Sequence, residues 1–344
     1  MKKSILIIAF FLCLLSCSDS NIKEEVNIKE NDIFSCGFET VATKKVAKIW
    51  KNDLATSLTD GTKDAVAAAL KIVNNKIYVV GFENNTNGKS VAKLWTNGTV
   101  TSIGNGIEDS FANDVVVVGN DIYVAFVENN GVKNVAKIWK NGVITNLTNG
   151  TNNASIDGLL FSNNDLYAVG YETNGAANIA KLWKNNSATS FNFGVNRTSA
   201  NCVATNNNDI YVGGREQIST NLNDVVKIWK NGVGTQLTDG SKPASIRSLL
   251  ALNSNIYALV NEVETSSGLT SAKYFINNVG VLLNSSNTST SPICLFSKNN
   301  EVYVAATEVS PTRKLVIWKN GTQNISFNLN STVNIQDVEM AISN

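Results

Sequence analysis

An all-β fold of seven four-stranded antiparallel sheets closed into a ring is what this sequence predicts, and three observations predict it. A Lys-Ile-Trp-Lys-Asn-Gly motif and its variants recur at Trp50, Trp95, Trp139, Trp183, Trp229, Phe275 and Trp318, with steps of 45, 44, 44, 46, 46 and 43 residues. An aromatic preceded by an aliphatic residue keeps the same period at Phe34, Tyr78, Tyr123, Tyr167, Tyr211, Tyr257 and Tyr303. The two ends of the repeat region are incomplete in complementary ways.

The unit from Asp64 to Gly106 shows the plan. Ala65 to Val73 is apolar and β-prone at its end, Asn74-Asn75-Lys76 signals a tight turn, and Ile77 to Phe82 forms a second strand. The polar stretch Asn84 to Lys89 leads into the Trp strand, Val91 to Trp95. Asn97-Gly98 then accepts the positive φ angles of a type I′ turn before a short outer strand, Thr99 to Ile103. Lys140-Asn141-Gly142, Lys230-Asn231-Gly232 and Lys319-Asn320-Gly321 repeat that turn, and Asn185-Asn186 and Asn277-Asn278 are looser versions. Helical periodicity is hardly visible beyond the first residues.

One such meander exposes two apolar faces and needs a neighbour on each, which predicts radially packed blades. First strands such as Leu249-Leu250-Ala251-Leu252 alternate least and fit the innermost position, while the Trp strand seals the contact between blades. Ile33 to Glu39 aligns with Ile77 to Glu83, a second strand lacking its first, and Val333 to Ile342 is a first strand with no followers. Joined, they complete the seventh blade of a β-propeller of about 310 residues.

From Ile33 to Asn344 the chain resembles the β-propeller superfamily. It lacks the Trp-Asp dipeptide of WD-repeats, the paired glycines of kelch blades and the Ser-x-Asp-x-Gly-x-x-Trp box of sialidase-type blades. The Ala-Lys-Ile-Trp-Lys-Asn-Gly signature resembles uncharacterised repeat lipoproteins from Bacteroidota, a resemblance that brings no assigned chemistry.

The N-terminus carries an address. Lys2-Lys3, the apolar run Ile5 to Leu15 and Leu14-Leu15-Ser16-Cys17 match a bacterial lipoprotein signal, with residues 1–16 removed and Cys17 acylated. Several acyl chains make a stable membrane anchor. Residues 17–32 then read as the lipidated Cys and a flexible acidic tether, and residues 33–344 as the propeller. Acidic residues close behind the Cys resemble the surface-export signal of Bacteroidota lipoproteins. An outer-membrane lipoprotein is expected, facing either the periplasm or the cell exterior.

Without Lys2 and Lys3, 27 basic residues stand against 28 acidic ones, a balance that argues against a nucleic-acid binder. A monomer is expected. Cys36, Cys202 and Cys294 fall on three different repeats and read as buried free thiols rather than a disulfide framework.

The chain has no histidine. That excludes Ser-His-Asp and Cys-His catalysis and His-ligated metals, and neither a phosphate loop nor a dinucleotide fingerprint is present. Carboxylate, amide and backbone chemistry remain. Glu39, Glu83, Glu128, Glu172, Glu216, Glu262 and Glu308 each follow the second-strand aromatic by five positions, and Lys48, Lys93, Lys137, Lys181, Lys227 and Lys273 precede the third-strand aromatic by two, with Val316 breaking the series. A Glu–Lys pair pinning the register of every blade is expected, contributing about 0.2–1 kcal/mol where exposed.

The segments entering the first strands vary while the frame does not, and there Lys63, Asp64, Glu108, Asp109, Arg197 and Lys242 supply nearly all the charge. They form the candidate binding face. No cofactor is called for, although Asp60 to Asp64 and Asn105 to Asp109 have ligand types suited to calcium without an EF-hand pattern. The reading that follows is a lipid-anchored, non-catalytic binding or scaffold propeller with a protein or glycan partner at the envelope. Its alternative is a carbohydrate-active hydrolase or lyase that pairs Asp64 with Asp109 or Glu108.

Overall fold

The computed structural model describes residues 28–191, 197–218, 223–283, 288–309 and 312–341. Seven four-stranded antiparallel sheets make up the fold, and among the described residues there is no helix. Blade 2 illustrates the order, with strands Ala65–Val73, Lys76–Asn84, Ser90–Thr96 and Thr99–Ser102 running outward from the axis. The first strands of blades 3 to 7 are Ser110–Val118, Ala154–Ser162, Thr198–Asn206, Ala244–Leu252 and Ser289–Lys298. Blade 1 takes its second to fourth strands from Ile33–Val41, Lys44–Lys51 and Leu54–Ser57, and its first from the other end of the chain, Val333–Met340. Ile33 pairs with Met340 and Glu39 with Val333, so the ring closes by hydrogen bonds between the termini.

Each blade buries its aromatic against the blade before it. Trp95 packs with Phe34, Cys36 and Ala47 of blade 1, Trp139 with Tyr78, Val80 and Leu94 of blade 2, and so round to Trp50 against Tyr303, Leu315 and Ile317 of blade 7. Seven core clusters result, one at each junction. An aliphatic or aromatic plug just after each fourth strand fills the same junction: Leu58, Ile103, Leu147, Phe191, Leu237, Leu283 and Leu329. The backbone N–H of Leu58 donates to Ala47 at 2.8 Å and that of Ile103 to Ala92 at 2.8 Å, which ties the plug to the Trp strand.

The Asn of the repeated motif does more than turn the chain. Asn52, Asn97, Asn141, Asn185, Asn231, Asn277 and Asn320 hold φ between 45° and 57°. Their side-chain oxygens accept the N–H of Ile33, Ile77, Ile122, Leu166, Ile210, Ile256 and Val302 at 2.8–3.1 Å. One residue thus makes the turn and holds the start of the second strand, as an Asn can where a Gly cannot.

Tight turns between first and second and between third and fourth strands share one side of the disc, the turn face; the remaining connections form the loop face. The last part of the expected tether docks on the turn face rather than trailing free, because it finds partners there. Ile28 packs on the core of the first junction. The buried ammonium of Lys298 reaches Asn31 at 2.9 Å and the carbonyl of Ala341 at 2.7 Å, which holds both chain ends beside the seam. Cys17 and the rest of residues 1–27 lie outside the described residues.

Trp183 is 1% exposed. Trp183→Ala is expected to cost about 3–5 kcal/mol, read as a shift of the denaturation midpoint. Deleting residues 333–344 removes a whole first strand and is expected to abolish the cooperative thermal transition; an unchanged melting temperature would contradict closure of the ring.

Candidate functional site

The innermost strand of a blade is a sheet edge, and its axis-side N–H and C=O groups have no ladder partner. All seven innermost strands carry a bulge at the same point, which adds one residue and turns its side chain out of the pleat. The bulged residues are Ala68, Asn113, Asp157, Asn201, Arg247, Ile293 and Gln336, read from register shifts at Ala67/Ala69, Ala112/Asp114, Ile156/Gly158, Ala200/Cys202, Ile246/Ser248, Pro292/Cys294 and opposite Cys36/Gly37. In four blades a Gly on the second strand permits the close approach: a Cβ on Gly81 would stand 1.9 Å from the carbonyl oxygen of Val66.

Polar side chains around the axis satisfy the inner edges and stitch blade to blade. Asp337 accepts the N–H of Leu70 at 3.0 Å, Glu339 that of Ile72 at 2.8 Å, and Asp114 that of Leu159 at 2.7 Å. Asn113 donates to the carbonyl of Ile156 at 2.7 Å. Lys71 stands 3.7 Å from Glu339. The charge of Glu339 raises the Lys71 pKa, which keeps it an ammonium. Burial lifts the carboxyls of Asp337, Glu339 and Asp157 above their ordinary range and that of Asp114 to about 6. Lys71 nonetheless keeps 42% of its side chain exposed.

The ring is uneven where it matters for binding. Asn113, Asp157, Asn201 and Arg247 make a polar arc across blades 3 to 6, and Ile293, Gln336 and Ala68 complete the ring. Ser155 donates to Asp157 at 2.6 Å, and Asn201 reaches its other oxygen at 3.4 Å. Phe82 and Phe111 meet edge to face at 5.1 Å beside the arc, with Phe111 37% exposed. The bulge lies in the loop-face half of each strand, so the arc opens on that face. None of these residues stood out in the sequence as candidates. The available signal was a polar residue interrupting an apolar first strand, as in Ala-Asn-Asp-Val-Val or Ile-Asp-Gly-Leu-Leu.

The charged residues singled out from the sequence sit on the loop face at the junctions between blades. Asp64 accepts the N–H of Lys45 at 2.9 Å and Asp109 that of Ser90 at 2.8 Å, equivalent positions of two successive junctions. Glu108 pairs with Lys89 at 2.6 Å, Lys242 with Glu264 at 2.6 Å, and Arg197 with Asp224 at 3.3 Å. Lys63 stands beside Asp60, whose carboxylate is occupied by the Thr62 N–H and hydroxyl at 2.8 and 2.7 Å. Asp64 and Asp109 thus each face a backbone donor of their own junction. Among the described residues no group of three or more acidic or thiol side chains converges as a metal site.

The repeated Glu and Lys meet diagonally rather than face to face, since Glu83 opposes Val91 while Lys93 opposes Gly81. The ammonium–carboxylate separations are 2.5 Å for Lys48–Glu39 and Lys137–Glu128, 2.6 Å for Lys273–Glu262, 3.4 Å for Lys181–Glu172 and 3.9 Å for Lys93–Glu83; Lys227 contacts Glu216 as well. Glu308, opposite Lys314 with Val316 in the Lys position, is left partly desolvated, and burial raises its pKa. A second ladder appears on the turn face: Lys51–Asp32, Lys140–Asp121, Lys184–Asp165, Lys230–Asp209 and Lys319–Glu301, at 2.5–2.9 Å. Blades 2 and 6 replace both partners together, with Lys76 and Thr96 in one and Asn255 and Ile276 in the other.

The three thiols are free, Cys36 fully buried, and burial raises the pKa of each.

A carboxyl whose folded pKa lies above its unfolded value near 3.8 holds its proton more tightly when folded. The contribution of Asp114 is therefore most favourable below pH 4 and is lost as the pH rises through about 6, by up to about 3 kcal/mol. Asp114→Asn removes that titration. Measured by chemical denaturation, wild type is expected to lose stability relative to the variant between pH 4 and 7; parallel pH curves would contradict the desolvated carboxyl.

Neither family models nor curated proteins give a match to this chain.

Proposed function

We propose that the chain is a non-catalytic binding propeller of the cell envelope, anchored through acylated Cys17 and presenting its loop face to a protein or glycan. The observation that supports it most is the break in sevenfold symmetry at the axial mouth. The frame repeats in every blade, whereas the bulged position runs Ala, Asn, Asp, Asn, Arg, Ile, Gln. A scaffold needs only the bulge; a polar arc on one side of the mouth adds direction, which suits recognition.

The position of the chain ends agrees with a loop-face site. Residues 28–32 lie on the turn face, so the tether reaches the disc from the side opposite the mouth. The twelve residues from Cys17 to Ile28 span at most about 40 Å extended. The lipobox and the acidic residues behind it, which resemble those of Bacteroidota repeat lipoproteins, support an outer-membrane address. The lack of histidine and the structural employment of Asp64, Glu108 and Asp109 support a binding role over hydrolysis.

Cys17→Ser is expected to abolish palmitate incorporation and release the protein from the membrane pellet; retention of both would remove the anchor from the proposal. Screening the full chain in detergent on a glycan array and against purified envelope proteins should find a ligand that Asn201→Ala weakens about tenfold and Lys230→Ala, on the turn face, leaves unchanged. Folded protein that binds nothing in either screen would refute the binding reading.

A further inference from the structure

The chain has four arginines, and three of them, Arg197, Arg215 and Arg247, lie in blades 5 and 6. Eleven of its lysines recur at two repeat positions; these arginines do not. The positions equivalent to Arg215 hold Phe38, Phe82, Val127, Tyr171, Asn261 and Thr307, so nothing in the frame requires a guanidinium there. An exposed residue on an innermost strand is exposed to the channel, and Arg247 is such a residue, placed by its bulge.

The neighbouring blade 5 is organised around the other two. Asp224, itself 14% exposed, holds Arg197 at 3.3 Å and Arg215 at 3.6 Å. The Nε of Arg215 also donates to Ser199 at 3.1 Å, while about half of the Arg215 side chain faces solvent. Arg247 makes no ion pair among the described residues, which leaves its planar fork of donors available to the channel. Tyr171 holds in blade 4 the register position that Arg215 holds in blade 5, opposite Ser155, and burial raises its pKa, so it stays a hydroxyl donor. Asp157 and Asn201 continue the hydrogen-bonding wall at 3.4 Å from one another.

We propose that this sector is a binding site for a carboxylated sugar, with the carboxylate on the Arg247 fork, ring hydroxyls on Asn201 and Asp157, and a sugar face against Tyr171. The assignment rests on the binding reading above and narrows its ligand. Guanidinium forks match carboxylate and phosphate alike. Asp224 engages Arg197 and Arg215, and the one guanidinium without an ion pair among the described residues, Arg247, carries a single positive charge that suits a singly charged carboxylate better than a phosphate dianion. A wall of amide, hydroxyl and carboxyl groups suits a polyhydroxylated ring, since each pairs with a sugar hydroxyl as donor or acceptor.

Isothermal titration of the full chain in detergent with trigalacturonate, its methyl ester and sialyllactose tests the site. The expected result is binding of at least one acidic sugar, with the uronate and sialyl arms identifying which carboxylate geometry fits. The methyl ester, which keeps shape and loses charge, should bind about tenfold more weakly than trigalacturonate wherever the uronate binds. Arg247→Gln should remove the binding of the acidic sugar, and Arg247→Lys, which keeps charge and loses the fork, should restore only part of it. Unchanged melting of both variants separates the site from the fold. Equal binding of acid and ester, no effect of Arg247→Gln, or binding of neutral glycans alone on the array would overturn the carboxylate assignment while the binding reading stands. Silence of all three sugars together with an empty array and protein screen would overturn both.

Discussion

The aromatic ring near the end of each third strand is buried against the preceding blade, and the rest of the structure depends on that contact, because a single meander cannot cover either of its own faces. The apolar clusters of this protein sit at junctions, with none confined to one sheet. Stability is therefore shared between neighbours and is complete only when the last junction forms. That makes the pairing of Ile33–Val41 with Val333–Met340 an energetic requirement as well as a topological one. Trp50, in the first blade of the chain, has its partners Tyr303, Leu315 and Ile317 in the last.

Closing the ring creates a second constraint at its centre. Seven inner edges converge on one channel, where each would leave backbone groups unpaired. The answer in this molecule is a bulge on every inner strand and a set of Asp, Asn and Glu side chains that reach across to the next blade. Asp337 on Leu70 and Asp114 on Leu159 are two instances of one arrangement. Their burial raises their pKa values, and Lys71 beside Glu339 offsets part of the crowded negative charge. Polarity at the axis is thus partly structural, and a site there has to be sought in side chains that the edges do not use. Arg247 is the clearest of these.

The same distinction separates ladders from sites elsewhere. Acid and Lys on the turn face are present together in five blades and absent together in two, as expected of a pair kept for its mutual contact. Asp64 and Asp109 look like free rim carboxylates in one dimension, yet both accept a backbone N–H from the blade before. Arg215 and Tyr171, by contrast, occupy equivalent positions of neighbouring blades with unrelated side chains. The frame requires neither side chain at that position.

Blade number, strand order, ring closure and the inward place of the first strand were legible in the sequence, because each follows from local pattern repeated at a fixed period. Asn-Gly pairs announce turns, Trp announces a junction, and the mismatched ends announce a seam. The second task of Asn97 and its six equivalents was not legible, since a side chain that makes a turn leaves no separate trace of the N–H it also accepts. Nor was the axial arc. Asn113, Asp157, Asn201 and Arg247 lie roughly 45 residues apart in the chain, and nothing local says that a bulge turns all four toward one channel. The sequence by itself determined the disc, because periodic burial is a property of neighbours along the strand; tertiary structure alone decided which polar groups are consumed by the inner edges and which remain available, because that depends on contacts between blades.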